Sequence, residues 1–433
     1  MNIAYPIYKY ITSGLFLAGF PFFWGYVRQT GRREDEIRQR LGYYPPGLPS
    51  RRAGTPNLWI HAVSVGEVKA AVPIIEALET MMPDAAFVLS TTTSRGQVLA
   101  REVFPANVSI VYAPVDYIGA VRRAFSAIAP DALVILETEI WPNLLVEAHR
   151  RGIQTAIVNG RVSARTIKNY LKIKPLVKET LECVDAFSMI SAADAERVKR
   201  IGARRQKITV GGNSKFDFHP GECDASVTVR MRRLYNVTGD QPVIVAGSTR
   251  RSEERIVLDA FAKICQFFPD TLCIIAPRHI ERVNLIADMV KDHGISYQFS
   301  SDLDGNGAMR NAPVVIIDTI GELQNTYSIA AITFCGGSLV PLGGQNVLEP
   351  ARWAKPVLYG PSMEDFLDAK NLLEKSGGGI PVADGNELTE KLLFYLSHPE
   401  KAAHAGQMAR RAVMQNRGAS QRHARVIYEL LNR

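Results

Sequence analysis

Residues Asn57–Glu67 read Asn-Leu-Trp-Ile-His-Ala-Val-Ser-Val-Gly-Glu. An apolar run breaks at a small-residue turn and opens a helix at about Glu67–Leu78. A run apolar on every residue, not every second one, is a strand covered on both faces, which belongs in a parallel sheet built from βα units. The pattern recurs outward from this point. Phe87–Thr92, Ser109–Ala113, Ala132–Leu136, Thr155–Asn159, Phe187–Ile190 and Lys207–Gly211 complete one set. Pro242–Ala246, Leu272–Ala276, Pro313–Ile317, Ala331–Cys335, Pro356–Tyr359 and Ile380–Val382 form a second. Most runs give way directly to Gly, Pro, Ser or Thr, the residues that turn a chain.

The expected architecture is therefore α/β, with two Rossmann-like domains and a cleft between them. The boundaries read as 1–30 for an amino-terminal anchor, 31–215 for a first domain, 216–240 for a polar linker and 241–433 for a second domain. Two large domains suit a chain of 433 residues. With 46% hydrophobic and 22% charged residues, wholesale disorder, collagen and a long coiled coil are excluded. Five cysteines (Cys183, Cys223, Cys265, Cys273, Cys335) without a CxxC pair argue for reduced thiols and against a cysteine zinc site. A net charge of +8 points to anionic partners: phosphates, nucleotides or an acidic membrane surface.

Tyr10–Val27 is free of charged residues and flanked by Lys9 and Arg28. As a helix it reaches about 27 Å, just short of a hydrocarbon core of roughly 30 Å. Pro21 would kink it. Phe20, Phe22, Phe23, Trp24 and Tyr26 suit an interfacial position, and the arginines that follow, Arg32, Arg33, Arg38 and Arg40 among them, suit anionic lipid. An uncleaved anchor is expected, as a full span or a monotopic insertion; the alternative is an amphipathic hairpin buried in the first domain. Removing residues 1–27 should spare the fold if the first βα unit begins near Asn57.

In open α/β sheets, ligands sit beyond the carboxyl ends of the strands, so strand tips are where chemistry is sought. His61–Glu67 places a carboxylate at a strand-to-helix junction, either as a general base or as a favourable partner of the helix dipole. Leu136–Asn143 carries Glu137, Glu139 and Trp141. Gly211–Asp217 offers glycines and Lys215, suited to an anion. In the second set, Ala246–Arg250 precedes a Glu-rich helix, and Pro277-Arg278-His279, Asp318–Glu322 and Gly336–Ser338 end further strands, with Pro341–Pro350 following. Four such tips together look like a nucleotide cradle. No G-x-x-x-x-G-K-[ST] phosphate loop and no G-x-G-x-x-G after a strand occurs. Asp302-Leu303-Asp304-Gly305-Asn306-Gly307 begins like a calcium loop, but Pro313 stands where its bidentate Glu belongs.

These segments resemble the 3-deoxy-D-manno-octulosonic acid (Kdo) transferases, glycosyltransferases of the GT-B fold. The matching stretches are His61–Glu67, Glu137–Asn143, Asn159–Ser163, Gly212–Asp217, Ala276–His279, Asp318–Leu323 and Gly336–Pro350, in order along nearly the whole chain. The resemblance implies inverting transfer of Kdo from CMP-Kdo to the tetra-acylated lipid A precursor, without metal or cofactor, on the cytoplasmic face of the inner membrane. It assigns Glu67 as the general base, with Glu137 and Lys215 supporting the transition state. Pro277, Arg278, Ile320, Gly321, Glu322, Asn346, Val347, Leu348 and Glu349 match nucleotide-contacting positions. The membrane surface is an expected partner and nucleic acid is not. The alternatives are another GT-B transferase or epimerase using a UDP-sugar, and a membrane-tethered nucleotide-binding module without catalysis.

Overall fold

The structure, a computed structural model, describes residues 3–30, 34–48, 55–217, 224–303 and 309–432, with side chains of 20–30, 164 and 165 left out. The aromatic belt Phe20–Tyr26, Arg32, Arg33, Cys223 and Asp304–Gly307 thus lie outside the described residues or side chains. The chain forms two units: Met1–Phe218 with Asn416–Arg433, and His219–Gln415.

The first unit holds β1 (Asn57–His61), β2 (Ala86–Thr91), β3 (Val108–Tyr112), β4 (Ala132–Leu136), β5 (Gln154–Gly160), β6 (Ala186–Met189) and β7 (Ile208–Val210). They make one sheet in the order β3-β2-β1-β4-β5-β6-β7, parallel throughout. Alternation along the strand sends Leu58 and Ile60 into one core layer and Trp59 into the other. Every residue of β1 and β4 is buried, which accounts for the continuous apolar runs. Trimming one of them, as in Ile135→Ala, would cost about 2–5 kcal/mol. The order reverses between β1 and β4, so the crevice at a topological switch point lies beside the tips of those two strands.

The second unit holds β8 (Val243–Thr249), β9 (Leu272–Pro277), β10 (Tyr297–Phe299), β11 (Val314–Ile316), β12 (Ile332–Cys335), β13 (Val357–Tyr359) and β14 (Gly379–Pro381). Their order is β10-β11-β9-β8-β12-β13-β14, again parallel. Its switch point lies between β8 and β12.

Three expectations need correction. The stretch 216–240 is not an irregular linker. It contains a helix, Ala225–Leu234, capped by Asp224, whose side chain accepts from Ser226 N. Met231, Tyr235 and Val237 bury themselves against Leu272 and Ile274 of the second unit. Nor does the second unit run to residue 433. Helix Ala419–Leu431 buries Ala424, Ile427 and Leu430 in the core of the first unit, with Leu58, Val68 and Ile74.

The third concerns the amino terminus. A helix runs over Ala4–Thr30, and its first turns are docked on the first unit. Tyr5 is buried, its N–H donating to Glu179 Oε2 at 3.1 Å and its hydroxyl to Asn143 Oδ1 at 3.2 Å. Tyr8 donates to Asp116 Oδ2 at 2.8 Å, and Phe16 stacks on Tyr117 with ring centroids 4.5 Å apart. Ile3, Ile7, Tyr10, Ile11, Leu15 and Leu17 remain exposed. No helix among the described residues is long and apolar enough to cross a membrane. Of the basic cluster, Arg38 is exposed, whereas Arg40 is engaged: it pairs with Glu36 at 2.9 Å, donates to Thr92 O and lies over the Tyr112 ring.

Candidate active site

Glu67 enters its position because helix Val65–Met81 starts immediately after the β1 tip, with Ser64 as N-cap. As the third helical residue it points back over the turn. Its Oε2 accepts from Val63 N at 2.7 Å and its Oε1 from the Ser64 hydroxyl at 3.1 Å. Burial pushes its carboxyl up to about 8; the Val63 N–H opposes this, and the nearby carboxylates of Glu137 and Glu139 raise it further. A carboxylate so raised is a far stronger base than a solvated one, though ionised only in part at neutral pH.

Glu137 follows β4 directly across the switch point. Its backbone is left-handed, φ +57°, a conformation that costs a side-chain-bearing residue roughly 1–2 kcal/mol. Its N–H donates to Val158 O at 3.0 Å, continuing the ladder with β5. Beyond it, Trp141 Nε1 donates to Glu139 Oε2 at 3.1 Å, and the Trp141 ring meets His61 edge to face at 5.9 Å. Burial also raises the Glu139 carboxyl.

Lys215 sits in a single 3-10 turn, Ser214–Phe216, which packs against the helix that begins beside Glu67. Ser214 N donates to Asn159 Oδ1 at 2.9 Å and Lys215 N to Asn213 Oδ1 at 3.0 Å. Asn159, at the β5 tip, is also left-handed, φ +51°. Lys215 Nζ lies 3.4 Å from Glu137 Oε1. The fold thus gathers Glu67, Glu137, Glu139 and Lys215 at the β1/β4 switch point. Sequence reasoning missed what lies beneath them. Trp59 Nε1 donates to Ser90 Oγ at 2.8 Å, and His61 Nδ1 meets the same oxygen at 2.9 Å. Burial holds His61 down to about 4, so it is neutral. A histidine closing a fully buried strand was the available signal.

In the second unit, the tips singled out belong to β11, β9, β8 and β12, which are adjacent in that order across the sheet. The β9 tip is tied to the β8 tip by Arg278 N donating to Thr249 O at 3.0 Å, leaving the Arg278 and His279 side chains exposed. Thr249 Oγ1 and Arg250 Nε are buried without a hydrogen-bond partner among the described residues. Glu322 accepts from Tyr235 at 2.8 Å and from Thr319. Beside it Gly321 takes φ +94°, and Ile320 is 92% exposed, an unusual cost for a large apolar side chain. Asp318 gathers Ser300 Oγ, Ser301 N and Ser301 Oγ at 3.0, 3.0 and 2.6 Å. Burial pushes its carboxyl up, but these bonds hold it below the usual value. The Ser300–Leu303 turn is therefore fastened to the β11 tip.

At two helix starts in this unit the polar groups are engaged within the chain. Glu253, fully buried in the first turn of helix Glu253–Ile264, accepts from Arg250, Gly337, Ser338 and Leu339 N–H groups at 2.9, 2.6, 2.9 and 2.9 Å. The chain's own carboxylate fills that nest and fastens the β12 loop to the β8 turn. Glu254 beside it pairs with Arg282 at 3.1 Å. Near Asn346, the helix is Leu348–Arg352. Asn346 Oδ1 takes the Leu348 N–H at 3.2 Å, while its Nδ2 donates to Glu349 Oε1 at 3.1 Å. Pro277 ends β9, and Val347 and Leu348 are buried supports. Among the described residues, no three His, Cys, Asp or Glu side chains gather so as to hold a metal ion.

Comparison with known proteins adds the following. The family described as 3-Deoxy-D-manno-octulosonic-acid transferase (kdotransferase) matches residues 35–218. A 3-deoxy-D-manno-octulosonic acid transferase of Haemophilus influenzae is 30% identical over 392 residues, which is 90% of this chain and 90% of that protein. A bifunctional glycosyltransferase/methyltransferase of Fusobacterium nucleatum is 32% identical over 74% of this chain, and the match spans 50% of that relative's length. Among solved structures, Anabaena Alr3699/HepE in complex with UDP is similar with a TM-score of 0.59 at 13% identity, covering 87% of this chain and 100% of that one. At that identity the likeness speaks for the GT-B-type α/β fold alone.

Proposed function

The chain belongs to the 3-deoxy-D-manno-octulosonic acid transferase family, and on that premise we propose that it is the glycosyltransferase moving Kdo from CMP-Kdo to the tetra-acylated lipid A precursor, with inversion. In this reading the first unit takes the acceptor and the second the CMP moiety. The observation that carries it is the buried, hydrogen-bonded Glu67 beside the Glu137–Lys215 pair at the β1/β4 switch point.

Ionised Glu67 takes the proton of an acceptor hydroxyl as that oxygen bonds to the anomeric carbon of Kdo. The bond from that carbon to the phosphate oxygen breaks, and CMP leaves with the electron pair. A positioned base contributes roughly 10²–10⁴-fold. Lys215 offsets negative charge on the departing phosphate or on the Kdo carboxylate, and Glu137 orients the ammonium. Arg278, exposed at the β9 tip, supplies a guanidinium to the nucleotide phosphate, so cationic side chains do what a metal does elsewhere. Glu322 and Glu349 are suited to ribose hydroxyls.

We place the enzyme on the cytoplasmic face of the inner membrane, because the lipid acceptor resides in a bilayer. The exposed Ile7, Ile11 and Leu15 side of the first helix, with Ile3 just before it and Arg38, supports that reading. The deciding experiment incubates purified protein with CMP-Kdo and lipid A precursor and determines product masses. The acceptor should gain the mass of one or more Kdo residues. No gain, or turnover of a UDP-sugar instead, would overturn the proposal.

A further inference from the structure

The segment that presents Lys215 is held at both ends by a helix about two hundred positions away in sequence. Upstream, Gly212 O lies 3.0 Å from His423 Nε2, and Ser188 Oγ on β6 lies 2.8 Å from His423 Nδ1. A carbonyl can only accept, so Nε2 carries the proton and Nδ1 accepts from the Ser188 hydroxyl. His423 is fully buried, and both its ring nitrogens are thereby satisfied. Burial holds it down to about 4, so this neutral tautomer persists across the physiological range. Next to it, Arg422 Nε donates to Gly211 O at 2.6 Å.

Downstream, the Asp217 carboxylate accepts from Gly418 N and Ser420 N, each at 2.6 Å. That is an N-terminal cap supplied from a distant segment, since the cap residue itself is a glycine. The glycines of the segment fit this arrangement. A Cβ on Gly211 would lie 2.4 Å from Ser188 Oγ and 2.5 Å from the His423 ring, and one on Gly212 would lie 2.9 Å from the Arg422 guanidinium. The apolar stripe Ala424, Ile427 and Leu430 seats the helix in the core. Its polar amino-terminal end, through His423, holds the few residues that flank Lys215.

We propose that the amino-terminal end of the carboxy-terminal helix is a positioning device for catalysis, with His423 and Asp217 setting the place of Lys215 against Glu137. This rests on the reading of Lys215 given above. An ammonium that must meet developing charge within hydrogen-bond distance is sensitive to its support, and a displacement of about 1 Å costs up to roughly 10²-fold in rate.

The test is a double-mutant cycle. His423→Ala, Asp217→Asn and Lys215→Ala are made singly, and each positioning change is also combined with Lys215→Ala; kcat, KM for CMP-Kdo and Tm are measured on each. His423→Ala and Asp217→Asn should each lower kcat about 10- to 100-fold with KM for CMP-Kdo nearly constant. In the Lys215→Ala background the same changes should lower kcat less than about twofold, because what they position is gone. An equal fall in both backgrounds would mean a general structural role and would overturn the proposal. So would unchanged kcat in the single variants. If His423→Ala fails to fold, the Asp217→Asn cycle decides, since Asn keeps one acceptor oxygen. Unchanged kcat in Lys215→Ala alone would instead sink the catalytic reading of Lys215, and the proposal with it.

Discussion

Lys215 Nζ stands 3.4 Å from Oε1 of Glu137, and the carboxylate it meets is carried on left-handed backbone at the end of β4. Strain of this kind persists only where the surroundings over-determine it, and it gathers at functional sites. The pair is partly exposed, so its contribution to stability is small, about 0–1 kcal/mol.

It follows that Glu137→Gly should relieve the backbone while removing the carboxylate. Glycine adopts positive φ without the roughly 1–2 kcal/mol cost. We expect a Tm no lower than that of the parent, with turnover reduced at least about tenfold. A clear loss of Tm together with unchanged turnover would mean that Glu137 is there for the fold.

A second prediction concerns pH. Glu67 is a base only when ionised, and its carboxyl is pushed up to about 8. The rate constant kcat/KM should therefore rise about tenfold per pH unit below about 8 and level off above it. The sign for stability is opposite. A carboxyl raised by folding favours the folded state most at low pH, and that contribution is lost as pH rises from its unfolded value near 4.5 through about 8. Glu67→Gln should lose the rising limb and be no less stable than the parent at about pH 9. A flat profile in the parent enzyme would dissociate Glu67 from the proton transfer.

The sequence carried the two sheets well because buried parallel strands are apolar on most residues, Ala132–Leu136 on all of them. It did not reveal Tyr297–Phe299, a three-residue edge strand with a polar centre at Gln298. Glu67, Glu137 and Lys215 were legible as strand-tip residues. Their supports were not: Ser90, Asp116, Asp217 and His423 act through contacts between distant segments, which no local pattern encodes. The same holds for helix Ala419–Leu431, whose apolar stripe predicts burial but not in which unit. Met231 and Tyr235, four positions apart, were a helical signal within the supposed linker, obscured by the polar stretch before it.

The docking of Tyr5 and Tyr8 bears on truncation. Asp116 is partly buried and accepts from Tyr8, Asn143 N and Leu144 N at 2.8, 3.1 and 2.9 Å. It thereby caps the helix that follows Trp141. Tyr8→Phe should cost about 1.5–3 kcal/mol, the range for a hydrogen bond to a charged group. Deleting residues 1–27 should cost more, because Tyr5 leaves a buried pocket. Thermal unfolding checks both. A truncated protein with the parental Tm would mean that the first turns contribute nothing to the unit.

Turnover should persist in excess EDTA, with Lys215 and Arg278 meeting phosphate charge. Loss of activity in EDTA and its recovery on adding magnesium would contradict this and bring Asp302 and Asp304 back as ligand candidates.

The most direct measurement is the turnover of Glu67→Gln with CMP-Kdo and lipid A precursor, followed by product mass. The substitution is isosteric, and its amide oxygen can still accept from Val63 N. A fall of about 10²–10⁴-fold with CMP-Kdo binding and Tm preserved is the predicted result; turnover close to that of the parent would contradict the assignment of Glu67 as the base.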